Sequence, residues 1–251
     1  MHILHLKNFP IYQQLQLEEA LLRLDDRNFC IINEGSSPAI VLGISGKPRE
    51  LIQLEKFSQN PIPVIRRFSG GGTVVVDEET LFISFLFQKD AHDFVPYPEP
   101  ILRWSAEIYK EAFGLAGFSL QENDYAIGEK KVGGNAQYLR KMRWLHHTTF
   151  LWDYKKENMD LLLHPQKTPK YRKERSHEDF LTCLSIHLPS KEHFIKNFKA
   201  TLRGRYPIEE ISIDSLLPLL DEPHRKSTEI IFLNHLNLEA SECSPLPLFG
   251  P

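Results

Sequence analysis

The alternation of apolar and polar positions divides most of the chain into elements. From Ile11 to Leu24, apolar residues at Leu15, Leu17, Ala20, Leu21 and Leu24 recur at helical spacing with Glu18 and Glu19 between them, which predicts an amphipathic helix. Phe29 to Gly35 reads as a strand ending in a turn, and Ala39 to Gly43 as its neighbour beyond the breaker Ser36-Ser37-Pro38. A short helix is expected over Arg49 to Phe57. Ile62 to Ile65 and Thr73 to Val76 read as strands on either side of a glycine loop, and Leu81 to Phe87 is an almost unbroken apolar strand. Beyond the proline-rich stretch Val95 to Pro100, a helix is expected over Ile101 to Phe113. Tyr125-Ala126-Ile127 and Lys131-Val132 suit a hairpin closed by Gly128-Glu129, and Thr148 to Trp152 reads as a strand deep in the sheet. Ser190 is placed to cap a helix with Phe194, Ile195, Phe198 and Leu202 on one face.

Residues 206–251 are expected to hold short helices, over Ile213 to Leu220 and Pro223 to Leu236, and then a loose tail. Strands and helices alternate irregularly, with no internal repeat. The pattern predicts an α+β domain on a mixed or antiparallel sheet flanked by helices. Its main body is residues 1–205, and residues 206–251 form a short helical extension.

Composition changes this picture little. The 251 residues are 41% hydrophobic and 25% charged, as in ordinary soluble globular proteins. A net charge of −3 gives no electrostatic reason to expect nucleic acid as a partner. Lys/Arg concentrate in Lys167 to Arg175 and Lys191 to Arg205, either as solvated faces or as docking patches. The three cysteines, Cys30, Cys183 and Cys243, lie far apart, which argues against a disulfide framework or a cysteine metal site. The first residues contain no long apolar segment and no run approaches membrane-spanning length, so the expectation is a cytoplasmic protein with no membrane partner.

Two stretches carry candidate chemistry. In Arg66-Arg67-Phe68-Ser69-Gly70-Gly71-Gly72-Thr73, two arginines meet three consecutive glycines. Such a bare loop can aim several N–H groups at one oxyanion while a guanidinium supplies charge, although alone it also reads as a glycine-rich hairpin turn. In Asn123-Asp124 through Lys131-Val132-Gly133-Gly134-Asn135-Ala136, a strand lysine precedes a second small-residue turn, followed by His146-His147-Thr148-Thr149-Phe150-Leu151. Lys131 by itself reads as a solvent-facing strand lysine, and the histidines as structural or surface ones.

In order and spacing, the stretches together resemble the lipoate-protein ligase family, relatives of biotin protein ligases and octanoyltransferases. Arg66 to Asp77 matches its Arg-Arg-x-Ser-Gly-Gly-Gly-x-Val-x-x-Asp signature. Asn123-Asp124 with Lys131-Val132-x-Gly134-x-Ala136 matches its lysine motif, and His146-His147-x-Thr149-x-Leu151 the strand that follows. The resemblance runs from about Leu15 to Leu188. The Gly-Arg-Gly-Arg type of loop found in biotin ligases is missing.

The resemblance implies a catalytic domain of class II synthetase and biotin ligase type. It also implies an ATP- and magnesium-dependent reaction, in which lipoate or octanoate becomes an acyl-adenylate and then an amide on a lysine of an apo lipoyl domain. The acceptors implied are the lipoyl domains of 2-oxoacid dehydrogenase complexes or the glycine cleavage H protein. Lys131 is implied as the catalytic cation, and Arg67, Ser69, Gly70, Gly71, Gly72, Asn123, Asp124, Gly134, Ala136, His147, Thr148 and Thr149 as substrate and nucleotide contacts. Asp124 would hold magnesium or orient Lys131. An apolar slot for the acyl tail is expected among Val41, Leu42, Val74, Val75 and Phe150.

The chain also departs from the family pattern. Val76 stands where many ligases have histidine, Thr148 where glycine is usual, and Gly133 and Asn135 where serines are common. Residues 206–251 are too few for the C-terminal accessory domain of long-form ligases. Adenylation would then need a second polypeptide, or the chain would transfer preformed acyl groups. Two alternatives stand beside the ligase: an octanoyl or lipoyl transferase using a cysteine thioester without ATP, with Cys183 as the nearest candidate, and a non-catalytic acyl-adenylate-binding subunit. The run Tyr171 to His177 is expected to cap the site or to meet the acidic surface of a lipoyl domain.

Overall fold

A computed structural model describes residues 1–163 and 168–233 of the chain. In chain order, β1 (His2–Lys7) leads into α1 (Ile11–Leu24), β2 (Phe29–Glu34) and β3 (Ala39–Leu42). Two short helices follow, α2 (Pro48–Leu51) and α3 (Leu54–Gln59), then β4 (Val64–Arg66), β5 (Val74–Val76) and β6 (Thr80–Gln88). The long helix α4 (Pro98–Phe113) precedes β7 (Phe118–Gln121), β8 (Asp124–Ile127), β9 (Lys130–Leu139) and β10 (Arg143–Leu151). Next come α5 (Lys156–Met159), α6 (His177–Phe180), α7 (Lys191–Arg203), β11 (Glu209–Ile211) and β12 (Glu229–Ile231).

The strands form two mixed sheets where the sequence suggests one. The larger has the order β11-β1-β2-β6-β10-β9-β8-β7, and the smaller β12-β4-β3-β5. In the large sheet β1 runs parallel to β2 and β11, and the remaining pairs are antiparallel. The expectation that β2 and β3 are neighbours is corrected. At Gly35 (φ 89°) and Ser36 the backbone turns out of the large sheet, with N–H bonds to Thr80 and Asp77 carbonyls, and β3 founds the small sheet between β4 and β5. The glycine loop therefore joins two strands that flank β3 and do not pair with each other, which excludes a simple hairpin turn.

β6 is covered on both faces. Leu81, Ile83, Phe85 and Phe87 pack in the core that includes α4 and α7. Leu86 on the opposite face meets Leu17, Leu21 and Leu22 of α1, and Phe82 meets Ile11 and Leu15. α1 spans the expected residues but has no solvated acidic face, because Glu18 and Glu19 are both buried. The hairpin of β8 and β9 and the Ser190 cap, which accepts from His193 N, form as the sequence suggests. α4 starts at Pro98, before the expected Ile101, because proline is tolerated in the first turn.

Two expectations fail for local reasons. The single helix over Arg49 to Phe57 is broken at Ile52 and Gln53, which turn extended to bridge Leu162 and to donate to the Leu161 carbonyl. The helix over Pro223 to Leu236 is a strand at 229–231, paired with β4, where Thr-Glu-Ile-Ile-Phe favours an extended backbone. Residues 234–236 of that expectation, the tail beyond them and Cys243 lie outside the described residues. Glu19 anchors the segment before β12 by accepting from Ser227 N, Thr228 N and Thr228 Oγ1, and Arg66 pairs with Glu229. No helix among the described residues is long and apolar enough to cross a membrane.

Candidate active site

A cleft of about 680 Å³ opens between α1, the small sheet, the glycine loop and strands β6, β8, β9 and β10. Of the residues expected there, Lys131, Arg67, Gly71, Gly72, Asn123, Asp124, Gly134, Ala136, His147, Thr148 and Thr149 line it. Ser69 lies behind its wall, fully buried, and Gly70 is held through its carbonyl.

Arg67 shapes the loop from behind. It is 4% exposed, and burial lowers its pKa to about 10, so it keeps its charge at neutral pH. Nε donates to Ser69 Oγ (3.0 Å), and Nη2 to the carbonyls of Gly70 (2.6 Å) and Gly72 (2.9 Å). Those bonds take nitrogens that the sequence reading assigns to an oxyanion. Across a trans peptide, however, the next N–H points opposite its carbonyl. With the carbonyls of 70 and 72 turned onto the guanidinium, the N–H groups of Gly71 and Thr73 face away from it. No hydrogen bond from the N–H groups of Gly70 to Thr73 is found among the described residues.

Gly71 is required by the fold: its φ is 100°, and a Cβ there would sit 2.6 Å from Arg67 Nη2 and 3.0 Å from Ala136 Cβ. Gly70 and Gly72 meet nothing within 4 Å on their Cβ side, so packing does not demand glycine at either. Their bareness suits a ligand that comes close to the backbone. Thr73 Oγ1, a buried hydroxyl in the cleft lining, has no partner among the described residues.

The opposite wall is the β8–β9 hairpin. Lys131 Nζ lies 2.8 Å from Asp124 Oδ1, and Tyr171 OH donates to Asp124 Oδ2 at 3.0 Å. Burial, reinforced by Asp124, raises the Tyr171 pKa and keeps the phenol protonated. The lysine backbone is fixed as well, with Ala126 as its register partner on one side and Thr182 N donating to its carbonyl at 2.9 Å on the other. The Tyr171 to Arg175 run thus straps the hairpin. Arg175 donates to the Glu129 carbonyl, and Arg172 and Phe180 line the cleft. Both Asp124 oxygens are engaged, and no group of three His, Cys, Asp or Glu able to hold a metal exists among the described residues. A magnesium ion held here would rest on Asp124 together with substrate phosphates and water.

β10 forms the floor. His147 Nδ1 faces Glu18 Oε2 at 2.9 Å and its Nε2 faces Ser69 Oγ at 3.0 Å. Thr148 borders the cleft, but its hydroxyl belongs to the core, where it accepts from Tyr109 OH. His146, also on that side, is fully buried, and desolvation lowers its pKa to about 3.

The apolar end of the cleft is lined by Ile11, Leu15, Val41, Val74, Val76 and Phe82. Leu42 and Val75, expected in the slot, face the other side of the small sheet, and Phe150 belongs to the large-sheet core. The period-2 alternation of a strand decides this, since both faces of β3 and β5 are apolar. Neither described cysteine lines the cleft. Cys183 is buried beside Asp153, and desolvation followed by that carboxylate pushes its thiol up to about 12. Cys30 is raised further by complete burial.

Fold and cleft define an α+β domain whose cleft joins a lysine-bearing polar wall to an apolar end, and the comparisons with known proteins say of which kind. The family model for the lipoyl protein ligase A/B catalytic domain matches residues 10–204, and the chain belongs to that family. It is 30% identical to the inactive lipoate–protein ligase 2 of Plasmodium falciparum, over 79% of this chain and 69% of that one. It is 32% identical to the lipoate-protein ligase LplJ of Bacillus subtilis, over 55% of this chain, and spans 42% of the length of that relative. Among solved structures, a bi-partite lipoate protein ligase from Thermoplasma acidophilum superposes with a TM-score of 0.69 at 22% identity, covering 88% of this chain and 92% of that one. A lipoate-protein ligase A bound with ATP gives 0.68 at 21% identity, covering 88% and 94%.

Proposed function

We propose that the chain is an ATP-dependent lipoate-protein ligase. The observation that carries this reading is the pairing, across one cleft, of an anchored lysine with a bare loop whose N–H groups have no partner among the described residues, at the mouth of an apolar slot. The slot takes the aliphatic tail of lipoate or octanoate. Its carboxylate oxygen attacks the α-phosphorus of ATP, forming the acyl–phosphate bond of an acyl-adenylate as the bond to pyrophosphate breaks. The amine of an acceptor lysine then attacks the acyl carbon. It loses a proton, an amide forms and AMP leaves.

Lys131 stabilises the charge that grows on the carboxylate and phosphate oxygens in both steps, and the N–H groups of Gly71 and Thr73 hold an oxyanion from the other side. Asp124 orients Lys131, and Arg67 acts by folding the loop and lending its charge. Aligning two reactants in this way itself removes about 7–11 kcal/mol of barrier, so the reaction needs no protein nucleophile. Magnesium, when present, arrives with the triphosphate and neutralises part of its charge, in keeping with the reluctance of that ion to shed water. Lipoyl domains are the acceptors this reading favours. The Thermoplasma acidophilum relative, a bi-partite ligase described with its E2 lipoyl domain, supports both that choice and a separate accessory polypeptide.

The deciding experiment supplies this chain alone with lipoate, ATP and magnesium, then adds an apo lipoyl domain. Lipoyl-AMP that accumulates and is discharged as AMP, with activity unchanged by Cys183→Ala, supports the ligase. ATP-independent transfer from an octanoyl carrier, lost in Cys183→Ala, overturns it in favour of a thioester route. Similarity to a relative that is called inactive supports a second reading, an acyl-adenylate-binding subunit. Tight binding of lipoyl-AMP with neither formation nor discharge would establish that reading instead.

A further inference from the structure

We propose that Glu18 is a positioning residue that sets the glycine loop through a directed chain of buried hydrogen bonds, Glu18–His147–Ser69–Arg67. The Glu18 carboxylate is wholly buried on α1. Three donors surround it: Ser84 Oγ at 2.5 Å, Gln14 Nε2 at 2.9 Å and His147 Nδ1 at 2.9 Å. An ionised carboxylate only accepts, so His147 carries its hydrogen on Nδ1. At the other end, Arg67 Nε can only donate, and it donates to Ser69 Oγ. The Ser69 hydroxyl hydrogen is then free to meet His147 Nε2, 3.0 Å away. Every link has a single direction, and the last donor is the guanidinium that holds the Gly70 and Gly72 carbonyl oxygens.

Glutamine at position 18 does not substitute. An amide offers one acceptor oxygen to three donors, and Gln14 cannot flip its amide because its Oε1 already accepts from Asn33 Nδ2 at 2.9 Å. An amide N–H facing His147 drives the imidazole hydrogen to Nε2. Ser69 Oγ would then receive two donors, and the orientation of the chain is lost. Polarity inside the strand Leu81 to Phe87 marks the same site: its serine, Ser84, lies on the face turned to Glu18.

Nitrogen-15 spectra of labelled histidine report the tautomer without any reference to activity. The expected result is hydrogen on His147 Nδ1 and none on Nε2 in the wild type, shifted towards Nε2 in Glu18→Gln. A wild-type Nε2–H tautomer, or an imidazolium at neutral pH, overturns the proposal. The activity arm rests on the ligase reading. There Glu18→Gln should lose about 10–100-fold in kcat/KM for adenylate formation, and Glu18→Gln/Ser69→Ala should lose no more than the worse single variant. Additive losses overturn the relay. Glu19→Gln, or Thr228→Val if that variant fails to fold, is the structural control: it should lower Tm and leave kcat/KM of the folded fraction unchanged. If the wild type neither forms lipoyl-AMP nor discharges it to an apo lipoyl domain when it is supplied, the ligase reading fails. The relay then stands or falls on the tautomer shift and on a matching loss of lipoate affinity in Glu18→Gln by calorimetry.

Discussion

Strand β10 has a buried polar network on each face, and the two use similar side chains to different ends. On the core face, Ser105, Tyr125, His146, Thr148 and Tyr109 form a chain of hydroxyls around one imidazole, with Tyr125 OH 2.8 Å from His146 Nε2 and Tyr109 OH 3.0 Å from Thr148 Oγ1. It begins on the Leu102 carbonyl and borders the cleft at Leu102 and Thr148, but its hydrogen bonds stay within the core. On the cleft face, Glu18, His147 and Ser69 also form a chain around one imidazole, but it ends at Arg67 and through it at the loop. The core network contains no formal charge and holds its histidine neutral by desolvation. The cleft network is bounded by a carboxylate and a guanidinium. A network closed on itself can only stabilise the sheet, whereas one anchored at charged ends transmits an orientation to the groups it terminates on.

The largest effects should come from the cleft side. Lys131→Ala removes the cation opposite the loop. Adenylate formation and transfer should fall by at least about 10³-fold, while Tm changes little because the side chain is partly exposed. Near-wild-type turnover would mean that the lysine is a surface residue after all. Gly71→Val should follow. It places a side chain against Arg67 and Ala136 at a φ of 100° and should abolish lipoate and ATP binding in calorimetry. Unchanged affinity would show that the loop is not the cradle. On the core side the effect should appear in stability. Tyr125→Phe leaves His146 Nε2 and Ser105 with one partner fewer, and should cost about 1–3 kcal/mol in denaturant unfolding with activity changed less than a few-fold. A large activity loss with no loss of stability would erase the distinction between the two faces.

The sequence made the local parts of this arrangement legible and hid the tertiary ones. Three glycines beside two arginines, and a lysine ahead of a small-residue turn, announce themselves within a few residues. Glu18 does not. A glutamate between apolar helical positions reads as a solvated face, and only the docking of α1 on β6 and β10 buries it. The slot was legible at Val41 and Val74 but not at Leu42, Val75 and Phe150, because strands that are apolar on both faces do not disclose which face meets the cleft. The sequence marks Arg67 as a ligand contact but not as the brace of the loop, because its bonds to carbonyls three and five residues away depend on a loop shape that no pattern encodes. The strand at 229–231 was hidden for a related reason. It exists by pairing with β4, and within that segment it competes with a plausible helical spacing.

The smallest effect separates the two histidines of β10 by pH. Burial holds the folded-state pKa of His146 at about 3, against about 6.5 for an unfolded histidine. Between those values the unfolded chain binds a proton that the folded chain refuses. Its contribution to stability is therefore complete above about pH 6.5 and is lost as pH falls towards 3, at a rate of up to about 1.4 kcal/mol per pH unit. His92, lowered to about 4 by burial in the aromatic cluster over β6, adds to the same slope and must be controlled for. In urea titrations the expected outcome is a decline in unfolding free energy from pH 6.5 to pH 4.5. That decline should be shallower in His146→Gln than in the wild type when both are compared in a His92→Gln background. Equal slopes in the two proteins would mean that His146 accepts its proton without unfolding. Such a histidine is not sealed, and the core network would be as open as its neighbour across the strand.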